Sequence, residues 1–126
     1  MNMTLLDLIR ERSSVSKDGR YARIVLGPPK KSHVPSWKKD KLVPVSKNVR
    51  QFFPARDVSF IIETDIGEIT THIVGDSAER GDPEGGTYFS TNMHPWYESH
   101  KELSPGDVLI VTKVSDRRYK LDIEKK

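Results

Sequence analysis

Cysteine is missing altogether from this sequence, which rules out a disulfide framework, a thiolate metal site and a thiol nucleophile. No apolar run approaches the ~20 residues that a membrane-spanning helix needs. Asp7, Arg10, Glu11 and Arg12 follow directly on Leu5 and Leu6, so the uninterrupted apolar stretch of a secretory signal is lacking too. These absences predict an intracellular protein, in the cytoplasm of a prokaryote or in a nucleus, with no membrane partner.

Catalytic signatures are scarce. His33, His72, His94 and His100 show no metal-ligand spacing, and His94 and His100, six apart across a short helix, would not share one face. No serine sits in a Gly-x-Ser-x-Gly elbow. The glycines of residues 75–87 lack the strand-to-helix setting and the Lys-Ser/Thr ending of a phosphate-binding loop. A metal-dependent nuclease needs an Asp and a Glu-x-Lys on neighbouring strands. Asp57 or Asp65 could supply the first acid, but the sole Glu-x-Lys is Glu124-Lys125-Lys126, at a terminus expected to fray. The expectation is a non-enzyme: no catalytic residue, no metal site and no cofactor.

The 126 residues suit one domain. Its apolar residues, 35% of the chain, are clustered enough for one core interrupted by long polar excursions. Residues 1–20 read as an N-terminal helix, with Leu5, Leu6 and Ile9 on one face, followed by a linker ending in an Asp18-Gly19 turn. Residues 21–123 read as the β body. Residues 21–26 alternate, with Ala22, Ile24 and Leu26 on one face, until Gly27-Pro28-Pro29 stops the strand. An irregular basic loop leads to a short strand over 42–45 with Pro44 at an edge. Ser46 then caps a helical turn carrying Val49, Phe52 and Phe53, ended by Pro54. Strands over 58–64 and 68–74 are joined by Asp65-Ile66-Gly67.

The stretch 88–111 holds the densest pattern. Pro95 suits the first turn of a helix, with Thr91 or Asn92 as its cap and Met93, Trp96, Tyr97 and Leu103 as its apolar face. Ser104-Pro105-Gly106-Asp107 is a turn, and Val108-Leu109-Ile110-Val111 reads as a strand covered on both faces. A last strand covers 119–123. The sum is a mainly β fold: a small seven-stranded open or pseudo β-barrel, mostly antiparallel, with one or two short helices at its ends and an added N-terminal helix.

Charge is unevenly spread. Between residues 30 and 50, Lys30, Lys31, Lys38, Lys39, Lys41, Lys47 and Arg50 face a single acid, Asp40, whereas residues 63–84 lean acidic. A local basic stretch on a near-neutral domain points to one polyanion-facing surface or to a solvated loop.

Taken in order, Leu42-Val43-Pro44, Phe52-Phe53-Pro54, Asp65-Ile66-Gly67, Trp96 and Leu103-Ser104-Pro105-Gly106-Asp107 make residues 41–111 resemble the B3 DNA-binding domain of plant transcription factors. They resemble also the effector (specificity) domains of some restriction endonucleases that share that pseudobarrel. The resemblance implies two loop arms gripping the DNA major groove, here residues 32–41 and 75–87, the two excursions that composition alone sets apart. The match departs from the family at Val45-Ser46, which shifts the entry from strand to helix, and in the acidity of the second arm.

The residues suit such a role. Lys30, Lys31, Lys38, Lys39 and Lys41 can neutralise phosphates, and Ser36 can donate to guanine or phosphate acceptors. Arg80 is the candidate for a bidentate guanine contact, and Asp76 or Glu79 could accept from a cytosine amino group. Ser77 and Thr87 could reach base edges or phosphates. Trp37 either stacks on a sugar or anchors the arm. The expectation is a sequence-specific binder of double-stranded DNA, as a regulator or a restriction-system recognition module, with room for a nuclease or other protein partner in trans. The alternatives are a small-ligand or nucleotide-binding barrel enzyme whose polar loops surround a pocket, and a barrel for protein, RNA or single strands.

Overall fold

A computed structural model describes residues 13–28, 33–75 and 87–125. The expected N-terminal helix and most of the second arm lie outside them. The described chain is mainly β. Its strands are β1 (Ser14–Val15), β2 (Tyr21–Val25), β3 (Val43–Pro44), β4 (Phe60–Thr64), β5 (Gly67–Thr71), β6 (Tyr88–Phe89), β7 (Val108–Ser115) and β8 (Arg118–Glu124). Two short helices, α1 (Ser36–Lys39) and α2 (His94–Ser99), and a 3-10 turn at Arg50–Phe52 complete it.

Six strands form one sheet in the order β1-β2-β7-β8-β4-β5, while β3 and β6 pair separately. Every pairing is antiparallel except β4 with β8. A bridge between Val74 and Tyr88 links the end of β5 to β6. The far ends of this strip meet through side chains rather than a ladder. Trp37 Nε1 donates to the Gly27 carbonyl (2.8 Å), just past β2, and Asn48 Nδ2 reaches the Ser13 carbonyl (3.4 Å). Among the described residues no ladder joins β1 to β3, so the strip is not a closed barrel.

Alternation dictates the core. Ala22 and Ile24 face Val111 and Leu109 across β2 and β7, and Leu109 and Val111 face Ile123 and Leu121 across β8. Ala22, Ile24, Leu109 and Val111 are wholly buried. The expected faces of the 21–26 strand therefore hold. The run from Val108 to Val111 is covered on both faces only at its start, because Ile110 is half-exposed and Val114 lies in the open. Over the inner face sits an aromatic cluster in which Phe53 lies 5.3–5.6 Å, ring to ring, from Phe52, Phe60, Phe89 and Tyr119.

Several local expectations are corrected. The segment before residue 21 is more than a linker: β1 pairs with β2 through the Asp18-Gly19 turn, with Gly19 at φ 72°. The basic loop contains a helical turn, α1, entered from Pro35 at φ −61°. Ser46 gives its turn a carbonyl and not a hydroxyl: the Val49 amide bonds the Ser46 carbonyl, and Ser46 Oγ has no hydrogen-bond partner among the described residues. Helix α2 has no side-chain cap. Asn92 instead adopts a left-handed φ of 65° and donates to the Thr70 carbonyl (2.8 Å), tying α2 to β5. The C-terminal residues do not fray through Lys125: Glu124 pairs with Val108, and Lys125 Nζ lies 2.6 Å from the buried Asp107 carboxylate. The Asp65-Ile66-Gly67 hairpin stands as read, with Gly67 at φ 122°.

Candidate nucleic-acid interface

The first arm is built on α1. Trp37 points inward, 3% exposed, with its ring 6.3 Å from that of Tyr97 on α2. Its indole N–H is spent on Gly27, so its role here is that of an anchor. Lys38 Nζ donates to the carbonyls of Lys101 and Leu103, both at 2.9 Å. These carbonyls follow the end of α2, where a cation meets the negative end of the helix dipole. Tyr97, whose hydroxyl is pushed well above its ordinary range by burial, donates to the Leu42 carbonyl. Lys41 holds a left-handed φ of 57°, which turns its half-buried side chain toward Glu98, 3.6 Å away. The arm is thus braced on α2 at both ends.

These contacts divide the basic residues by fate. Ser36 and Lys39 are exposed on the outer side of α1, and Lys41 is partly so. Trp37 and Lys38 are committed to the scaffold. Arg50 is as well: it is 5% exposed and donates to the Phe53 and Pro54 carbonyls. Thr87 is 2% exposed, and its carbonyl accepts from the Val45 amide (3.0 Å). At that depth its hydroxyl presents no donor to a base edge. Lys30, Lys31, Asp76, Ser77, Glu79 and Arg80 lie outside the described residues.

Lys101, Glu98 and His94 join the arm unannounced by the sequence. Glu98 Oε1 lies 3.6 Å from Lys41 and 3.5 Å from His94, and Oε2 lies 3.4 Å from Lys101. Lys101 and Glu98, with Lys41, edge a groove of about 260 Å³ lined also by Trp37 and Tyr97. No periodicity or motif brings residue 41 beside residue 101; the Lys38 bonds to the α2 loop do.

On the other side of His100 lies a wider cleft of about 380 Å³, between the β4–β5 turn, α2 and β8, lined by Glu63, Asp65, Trp96, Lys120 and Asp122 among others. His100 Nε2 is 2.9 Å from Asp65, and its Nδ1 is 3.3 Å from Glu102. Its ring stacks at 4.6 Å on Trp96. Burial works against its charge, but the hydrogen bonds it donates to Asp65 and Glu102 outweigh it and raise the imidazole above its ordinary 6.5. Those bonds correspondingly lower Asp65.

The raised imidazole makes the clamp pH-dependent. Its stabilisation is full below about pH 6.5 and is lost as pH rises through the higher folded-state value. Asp65 and Glu102 are exposed, so water screens the clamp and keeps its contribution small. His100→Asn is expected to be less stable than the parent at about pH 5.5 and nearly equal to it at about pH 8.5. Urea melts at the two values check this, and a gap that widens toward high pH would contradict it.

Among the described residues no group of three or more His, Asp or Glu is disposed to hold a metal ion, and no helix is long and apolar enough to cross a membrane. The class that the structure defines is a mainly β domain with few helices. Compared with protein-family models, with curated proteins and with solved structures, the chain finds no match in any of the three.

Proposed function

We propose that this chain binds double-stranded DNA without catalysis, as a B3-like pseudobarrel domain serving a regulator or a restriction system. The observation that carries the reading is the bracing of α1, with Trp37 bonded to Gly27 and Lys38 bonded to the loop after α2. Ser36 and Lys39 therefore project from a fixed support. A fixed basic projection loses little conformational entropy on meeting a phosphate backbone; a solvated loop would lose much more. The curled strip, tied by Trp37 to Gly27 and by Asn48 to Ser13, supports a half-open barrel as scaffold. The base-reading role of the second arm, centred on Arg80 with Asp76, Glu79 and Ser77, rests on the sequence pattern alone.

Selection of bound duplexes from a random library, followed by salt titration of the winner, tests the reading. Lys39→Ala is expected to weaken all duplexes about equally and to reduce the salt slope by about 1. Arg80→Ala is expected to relax the selected motif at one position, at a cost of about 1–3 kcal/mol. Absence of binding to both unmodified and methylated duplexes would sink the reading.

A second reading, a small-ligand or nucleotide-binding enzyme, draws on the 380 Å³ cleft beside His100, which has the size of a small-molecule site. The cleft lies beside β8 and the β4–β5 turn. Titration with mononucleotides, read at the His100 and Trp96 signals, separates it from the first.

A further inference from the structure

We propose that Lys41, Lys101 and His94 form a phosphate site at the edge of the first arm, and that the Glu98 carboxylate occupies it as a built-in competitor. The proposal deepens the DNA reading and rests on it for the identity of the ligand, a phosphodiester of the duplex backbone.

Three cationic or cation-capable groups from two separate elements converge on one carboxylate. Lys41 arrives from the end of α1, His94 from the first turn of α2 and Lys101 from the loop after it. Their nitrogens stand 3.4–3.6 Å from Glu98 oxygens, looser than the ~2.8 Å of a well-made charge-assisted bond. The set is gathered but not closed on its present occupant. A phosphodiester presents two terminal oxygens sharing one negative charge, as a carboxylate does, and could accept from the same donors. The groove behind Lys41 and Lys101, about 260 Å³, has the rings of Trp37 and Tyr97 in its lining, and that apolar part lowers the local dielectric and strengthens a contact at its mouth. Lys38, though held by two carbonyls, adds its charge to the same rim. The Lys101 hydrogen bond, with Lys41 and His94 behind it, holds the Glu98 carboxyl below its ordinary range, so the competitor is charged at neutral pH.

Competition of this kind sets the affinity of non-specific contact. With Glu98 in place, a phosphate must displace a carboxylate, and the arm would not adhere to every duplex it meets.

The test compares the parent chain with Glu98→Gln, Lys101→Ala and the double variant in two assays. One is titration of a duplex of mixed sequence over a range of salt. The other is titration with inorganic phosphate, followed by NMR at His94 and Lys101. Glu98→Gln is expected to bind the duplex roughly threefold to tenfold tighter at low salt, with a slope steeper by about 0.9, one phosphate's worth. Inorganic phosphate is expected to shift His94 and Lys101 in that variant more than in the parent, and Lys101→Ala in the same chain is expected to cancel both gains. Duplex binding with an unchanged slope and unchanged phosphate shifts in Glu98→Gln would overturn the site and leave the DNA reading intact. Phosphate shifts gained without duplex binding by any variant would uphold the site and remove the duplex as its ligand.

Discussion

Phe53→Ala is expected to destabilise the protein by about 3–5 kcal/mol, the range for deleting a large aromatic from a packed core. Phe53 is 5% exposed, and its four ring neighbours come from different parts of the fold. Phe52 belongs to the 3-10 turn, Phe60 to β4, Phe89 to β6 and Tyr119 to β8. Phe53 therefore helps join the six-stranded sheet to the β3–β6 pair, together with the Phe60–Phe89 ring contact at 5.5 Å and the bridge between Val74 and Tyr88. Aromatic pairs in such geometries add about 0.5–1.5 kcal/mol each beyond burial, so the loss should lie at the upper end of the range. Tyr119 shares the cluster, and its hydroxyl, pushed up to about 12 by burial, donates to the Phe52 carbonyl at 3.0 Å. Urea unfolding measures the effect, with Phe53→Leu as the control that returns part of the volume. A loss below about 1 kcal/mol would mean that the two sheets are held together elsewhere.

The second large effect is expected at Asp107. Its carboxylate is 1% exposed and accepts from the Ser104 amide at 2.9 Å and from Lys125 Nζ at 2.6 Å. The same turn extends the β2–β7 ladder, because the Gly106 amide bonds the Leu26 carbonyl and the Leu26 amide bonds the Asp107 carbonyl. Asp107 thus secures the points where β2, β7 and the end of β8 meet. Asp107→Ala strands the Ser104 amide and releases Lys125, and is expected to lose about 2–3 kcal/mol. Lys125 is half-exposed, which keeps the figure below that for breaking a fully buried pair. Asp107→Asn keeps an acceptor for the Ser104 amide and loses the charge, so its cost should be about 1 kcal/mol and should shrink in high salt. Hydrogen exchange reads the structural part: the Leu26 and Gly106 amides should exchange faster in the Ala variant. If they keep the parent's protection, the turn does not depend on this carboxylate.

The Leu-x-x-Gly-Asp element shows what was legible and why. Its turn could be read from Pro105 and Gly106, whose backbone preferences act within a few residues. The buried charge of Asp107 and its partner Lys125 could not, since the pairing needs β8 laid beside β7. Fray was a fair expectation for a lysine-rich end; the carboxylate beneath it changes the outcome.

The basic stretch shows the same division. Composition marked residues 30–50 as cationic, but an ammonium group meets a phosphate only if no nearer acceptor claims it. Lys38 is claimed by the carbonyls of Lys101 and Leu103, and Arg50 by those of Phe53 and Pro54. Among the described residues Lys39 is claimed by none. The helical turn α1 escaped notice because four residues among prolines and lysines carry no periodicity. Trp37 was the one sign of it, an aromatic too large to leave unpacked.

What the amino-acid order determined by itself was local: an alternating strand at residues 21–26, a strand at residues 58–64, the Gly67 hairpin, the Pro105-Gly106 turn and the helix entered through Pro95. Each follows from backbone sterics and side-chain direction over a few residues. Tertiary structure decided the parallel pairing of β4 with β8, the packing of the two sheets through Phe53, Phe60 and Phe89, and which cations serve the scaffold and which face outward. Those outcomes depend on acceptors and surfaces supplied by segments far away in sequence, which exist only once the chain has folded.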